Sequence, residues 1–243
     1  MQNQFDPRNT GRVDPAIAVG VPTVARDAGL RSYMLKVYNY MASGVLLTGI
    51  VALLFANSGM AAQVMATPLR WLIIFAPLGF VFAMSLGVNR FSTATLQLLY
   101  WAFAAVMGLS MSTVFLVYTG TSIAQTFFAV SAAFMGLSLY GYTTKKDLSG
   151  FGTFLIMGVV GLLVAMIMNM FLQSPAMQLA ISAIGVLIFA GLTAYDTQKI
   201  KSMYAHVAGT EMMGKTVILG ALQLYLDFIN MFTFLLSFMG DRR

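Results

Sequence analysis

From Lys36 onward the chain alternates long apolar runs with short polar breaks. Charge is absent from the 33 residues between Lys36 and Arg70, the 54 between Arg90 and Lys145, and the 48 between Asp147 and Asp196. A membrane-crossing helix takes about 20 residues, so these gaps hold one, two and two helices. The longer two break at Thr119-Gly120-Thr121-Ser122 and at Gln173-Ser174-Pro175, both sequences that favour turns. Adding the runs Trp71 to Asn89 and Thr216 to Met239 predicts seven spans, near residues 37–57, 71–89, 96–118, 122–143, 151–172, 177–198 and 216–238. Barrel strands would alternate polar and apolar over about 10 residues, whereas Phe151 to Leu172 is apolar all round apart from Asn169. Helices satisfy their own backbone groups in lipid, so the fold class is an all-α polytopic membrane protein.

Composition agrees. Hydrophobic residues make up 59% and charged residues 9%, far below the roughly 25% charged of a soluble domain. The net charge is +6, but the cations punctuate apolar runs instead of forming one basic face, which excludes a nucleic-acid partner. The chain has no cysteine and a single histidine, His206. That excludes disulfides, zinc–thiolate sites, a cysteine nucleophile and a His-rich metal site, leaving oxygen as the only metal donor. There is no P-loop, because the Gly-rich stretches lie inside apolar helices. The expectation is a protein that is not an enzyme and holds no cofactor tightly.

The first 36 residues contain three prolines, five Arg or Lys and three Asp, with no apolar run long enough for a signal-peptide core. They read as a flexible tail, not a cleaved leader. The domain boundary falls at a cytoplasmic tail over 1–32 and a seven-helix membrane domain over 33–243. With the tail inside, Arg8, Arg12, Arg26, Arg31, Lys36, Arg90, Lys145, Lys146, Lys199, Lys201 and Lys215 share its side, against Arg70, Arg242 and Arg243 on the other. An 11 to 3 split supports that orientation. The Arg242-Arg243 pair sits outside if the seventh segment crosses and inside if it is re-entrant.

Small residues at helical spacing, Ala129, Ala133 and Gly136 or Gly158 and Gly161, are expected at helix contacts. His206, in a charged loop beside Lys201 and Glu211, reads as solvated. Asp227 is different. It lies near the middle of the last apolar run, about 16 Å along the helix axis, where an aspartate costs about 2.5–3.5 kcal/mol on insertion scales. Steps of three and four from it give Thr216, Gly220, Gln223, Asp227, Asn230 and Ser237, with Phe234 the single apolar member. That polar stripe must face protein or a water-filled cavity. Asp196 ends the sixth run and has two readings: an interfacial acid paired with Lys199 or Lys201, or a partner of Asp227 across two antiparallel helices. In the second case two adjacent carboxylates in low dielectric would share a proton. Arg90 ends the second run, and read alone it is a snorkelling interfacial cation.

Four fragments in order, Gly108-Leu109-Ser110-Met111-Ser112, Lys145-Lys146-Asp147-Leu148-Ser149, Tyr195-Asp196-Thr197-Gln198-Lys199-Ile200 and Leu224-Tyr225-Leu226-Asp227-Phe228-Ile229-Asn230, resemble the Bax inhibitor-1 family in its bacterial branch. The resemblance covers residues 32–240. It implies seven helices with the last wrapped by the other six, and a pH-sensitive calcium leak in the bacterial inner membrane. It further implies a pH sensor formed by Asp196 and Asp227, with Arg90 latching onto the pair. Some relatives carry another acid in the second helix; here Gly79 to Met84 contains none. A hard divalent cation needs oxygen ligands, and Asp196 and Asp227, with Gln223 and Asn230 along the stripe, would offer them to calcium as a permeant or transiently bound ion. The expected partners are the bilayer, calcium and a membrane protein.

Other classes stay open. A regulatory protein could bind a membrane partner, such as a protease or cell-death component, and use the aspartates only to fix helix register. An intramembrane aspartyl hydrolase would use the same pair, but the Gly-rich motif usual around such an aspartate is absent. A secondary transporter would carry related halves, and no repeat is evident.

Overall fold

The computed structural model describes residues 23–243, with side chains from residue 26. Eight helices follow in order: α1 Thr23–Asn57, α2 Met60–Met65, α3 Leu69–Gly87, α4 Thr93–Val117, α5 Gly120–Thr143, α6 Ser149–Leu172, α7 Pro175–Val207 and α8 Met212–Met239. All but the short α2 are long and apolar enough to cross a membrane. The seven predicted spans are thus present, and the polar breaks act as predicted. Thr119 caps α5 by accepting the Ser122 N–H (3.3 Å). Gln173 takes a left-handed conformation (φ 49°), Ser174 accepts the Met177 N–H (3.3 Å), and Pro175 opens α7 where its missing N–H costs nothing.

Two helices overrun their predicted bounds. α1 begins at Thr23, not 37, so residues 23–32 of the expected tail are helical, while 1–22 lie outside the described residues. Burial explains part of the extension, since Tyr33, Met34, Val37 and Met41 form a buried stripe. α7 runs to Val207, which places His206 on an exposed helical turn instead of in a loop. A hydropathy boundary marks the edge of lipid, not the end of hydrogen bonding.

α8 forms the centre. In its apolar stretch 67% of residues are buried, against 11–39% in the other spans. It packs against α1, α4, α5 and α7, while α3 leans on α4 and α6 on α7. The last helix is therefore lined chiefly by four of the expected six, with α3 and α6 as an outer layer. It also crosses completely: the Thr119 N–H donates to Asp241 O (3.0 Å) and the Arg243 N–H to Val117 O (2.9 Å). This short antiparallel bridge joins Arg242 to Tyr118, putting Arg242 and Arg243 at the α4–α5 end, opposite the start of α1.

Of the expected small residues Gly158 sits at a close helix approach, and the other close approaches fall on different glycines. On α5 the buried stripe is Ser122, Thr126, Val130, Phe134, Ser138 and Gly141; Ala129, Ala133 and Gly136 lie on an exposed face. A Cβ at Gly136 or Gly161 would meet nothing within 4 Å, whereas one at Gly158 would touch Ile188. At Gly141 it would strike the Ala194 carbonyl oxygen, at Gly108 the Thr48 carbonyl (2.8 Å) and at Gly185 the Phe234 ring (2.6 Å).

Candidate functional site

α7 and α8 run antiparallel along a seam that takes in Gly220, Gln223, Asp227, Phe234 and Ser237 of the α8 stripe. At one end the Ser182 hydroxyl donates to Ser237 Oγ (3.1 Å), and the Gln178 amide reaches the same oxygen (3.3 Å). Gln178 in turn accepts from the Asn169 amide (3.2 Å), which accounts for the one amide in α6. Next along the seam Phe234 seats on Gly185 and stacks on Phe189 with ring centroids 5.8 Å apart. At the far end Gly220 packs against Ile200.

Between the Phe189–Phe234 stack and the Ile200–Gly220 contact lie the two acids. Asp196 and Asp227 are each 4% exposed, and their carboxyl groups face each other within hydrogen-bonding reach. Gln223, one turn from Asp227, reaches Asp196 as well. Asp196 Oδ1 and Asp227 Oδ2 have no partner among the described residues. Asp196 is thus buried against α8 and not an exposed acid at a helix end. Asn230 is half-buried one turn further along α8.

Arg90 is not gathered with the pair in this structure. Arg90 is exposed in the turn after α3. The Lys215 ammonium donates to Val88 O (3.0 Å), which pins the end of α3 to the first turn of α8. Asp227 lies twelve residues further on, about 18 Å along the axis, and Arg90 is not among the charges that act on either carboxyl. Lys199, one turn beyond Asp196 on the same helix, is the positive charge that acts on both carboxyls. Its spacing from Asp196, i to i+3, was visible in the sequence, where it suggested a surface pair.

A polar network anchors Asp196 from behind. The neighbouring Thr197 hydroxyl donates to Thr193 O (2.8 Å) and lies 3.0 Å from Ser138 Oγ, which in turn is 2.6 Å from the Tyr38 hydroxyl. This links α7, α5 and α1 beside the acid. Gln198 accepts the Leu148 N–H (2.9 Å) and donates to Lys146 O (2.8 Å), while Lys201 donates to Tyr142 O (2.7 Å). The Lys145-Lys146-Asp147-Leu148-Ser149 segment, read in the sequence as a loop and orientation signal, is thereby clamped onto the turns of α7 that follow Asp196.

No group of three or more His, Cys, Asp or Glu is gathered among the described residues. Two carboxylates and one amide fall short of the 6–8 oxygens of a resident calcium site. Three lateral cavities of about 770, 630 and 300 Å³ are not lined by either aspartate, so the pair is closed off from them.

The family model described as "Inhibitor of apoptosis-promoting Bax1" matches residues 30–243. An uncharacterized protein of Rickettsia prowazekii is 48% identical over 219 residues, covering 89% of this chain and 92% of that protein. The inner membrane protein YbhL of Escherichia coli K12 is 45% identical over 220 residues, covering 89% and 94%. An uncharacterized protein of Deinococcus radiodurans is 44% identical over 215 residues, covering 88% and 92%.

Proposed function

Since the chain belongs to the Bax inhibitor-1 family, we propose that this multi-pass membrane protein is a pH-sensitive calcium leak channel of the bacterial inner membrane, gated by the Asp196–Asp227 pair. The observation that carries this reading is the pair itself: two buried carboxyls facing each other across the α7–α8 seam, each with an unpartnered oxygen. With one proton between them they form a hydrogen bond that ties α7 to α8. Gain or loss of that proton changes both the bond and the charge facing Lys199, and so biases two packings of the seam. We take the packing described, in which Phe189 and Phe234 stack next to the pair, as the shut state. When α7 and α8 part, a calcium ion meets two carboxylates and the Gln223 amide, retains part of its water, and moves downhill without an energy source.

We assign the counter-charge to Lys199 instead of Arg90 in this state. The orientation with the α1 start inside follows from the 11 to 3 division of cations. Purified protein in liposomes loaded with a calcium indicator tests the reading. Calcium entry that varies with external pH, with no other protein present, is the expected result. Entry no faster than in empty liposomes at any pH, and restored only by a co-purifying membrane protein, would replace the leak with the regulatory reading.

A further inference from the structure

α1 and α5 both lean on α8 yet share almost no direct contact beyond the Tyr38–Ser138 hydrogen bond. The gap between them is the largest of the three cavities, about 770 Å³. Its walls run antiparallel, from Arg31 opposite Tyr142 at one end to Leu46 opposite Phe127 at the other, and Phe228 of α8 forms the floor. Fifteen residue steps along each wall give a length of about 22 Å, more than the roughly 15 Å of one hydrocarbon leaflet. The lining is apolar apart from Arg31 at its end, the Tyr38, Ser131 and Ser138 hydroxyls part-way along, and the Tyr142 ring.

Position and charge identify the occupant. Arg31 lies 26 residues before Asn57 on α1, about 39 Å along the axis. With Asn57 at one interface, that is headgroup depth on the other side, where a bilayer spans about 40–45 Å including headgroups. Arg31 is exposed and has no ion-pair partner among the described residues. An arginine at headgroup level above a leaflet-deep apolar slot matches one ligand chemistry: an anionic phosphate ester carrying a long acyl chain.

The geometry points to a phospholipid site in the α1–α5 groove, with one acyl chain lying over Phe228 and the headgroup phosphate on Arg31. The site has a route to the aspartates. Tyr38 and Ser138 line the groove, and Ser138 is bonded to Thr197, the residue after Asp196. A bound chain therefore braces the wall that holds Asp196.

Native mass spectrometry of the purified full-length protein, given phosphatidylglycerol or phosphatidylcholine in mixed micelles, tests the site. Wild type is expected to retain phosphatidylglycerol in preference to phosphatidylcholine, and inorganic phosphate should not displace it. Ala42→Trp, which fills the groove, is expected to abolish retention. Arg31→Gln should weaken it about five-fold, the equivalent of about 1 kcal/mol for one basic side chain near an anionic surface. Leu187→Trp, in the separate α6–α7 cavity, should leave retention unchanged. Equal retention by wild type and a monodisperse Ala42→Trp protein would overturn the proposal, as would loss of a dimer with no change in lipid, which would make a second copy the occupant. If Ala42→Trp is not monodisperse, Leu35→Trp on the same wall replaces it with the same expected loss.

Discussion

Replacing Gly141 by alanine adds one methyl group at the closest approach of α5 and α7. The new Cβ would land on the Ala194 carbonyl oxygen and 2.9 Å from its carbon. Both are backbone atoms and cannot rotate away. Non-bonded carbons sit at about 3.5–4.0 Å, so the helices must part by roughly 0.5–1 Å, and overpacking of this kind costs about 1–3 kcal/mol. The Ser138–Thr197 contact at 3.0 Å, on the same two faces within a turn of helix, would stretch out of range; interhelical bonds in membranes average about 0.6 kcal/mol. Alanine regains up to about 1 kcal/mol of helix propensity over glycine, leaving a net loss of about 1–2 kcal/mol. Gly136→Ala on the same helix is the control, because its Cβ enters open space and only the propensity gain remains. Thermal unfolding of both variants in one detergent should place Gly141→Ala below wild type by about 2–4 °C for each kcal/mol, and Gly136→Ala at or above it. A Gly141→Ala protein as stable as Gly136→Ala would refute the close approach of α5 and α7 and the bracing of Asp196 built on it.

Gln198→Ala removes both bonds that clamp the α5–α6 loop and leaves the Leu148 N–H without its partner, at about 1–2 kcal/mol; faster amide exchange over residues 145–149 checks this. In the same loop, hydrogen bonds from the Ser149 side chain and then its backbone hold the Asp147 carboxyl below its ordinary value. A depressed acid stabilises above its unfolded value and loses that contribution as pH falls through the folded one. Protection of the Ser149 amide should therefore fall only below the usual carboxylate range, and Asp147→Asn should remove that dependence. Lys199→Gln should displace the pH profile of calcium entry, whereas Arg90→Gln should leave it in place; the reverse outcome would restore the arginine latch.

The pair was legible because its surroundings are so poor in charge. In a chain that avoids charge for 48 and 54 residues at a stretch, Asp227 stands out without any structure, and antiparallel pairing of the last two spans brings Asp196 to it. Period alone cannot choose among faces. Ala129, Ala133 and Gly136 share a face as well as Ser138 and Gly141 do, but only the second face meets α7. Hydropathy does not place Arg90 relative to the pair either: the Lys215–Val88 bond at the end of α3 is a tertiary contact that leaves no trace in it. Gln198, which clamps a loop some 50 residues away, is likewise an ordinary polar residue until the fold is seen.

Calcium entry into liposomes from pH 5 to pH 8, compared among wild type, Asp196→Asn and Asp227→Asn at equal incorporation, tests the gate most directly. An asparagine at either position removes the shared proton and leaves one carboxyl to titrate alone, so each variant should lose the wild-type pH profile. Variants that keep both the wild-type rate and its pH profile would contradict the account and leave the two aspartates as structural contacts of the α7–α8 seam.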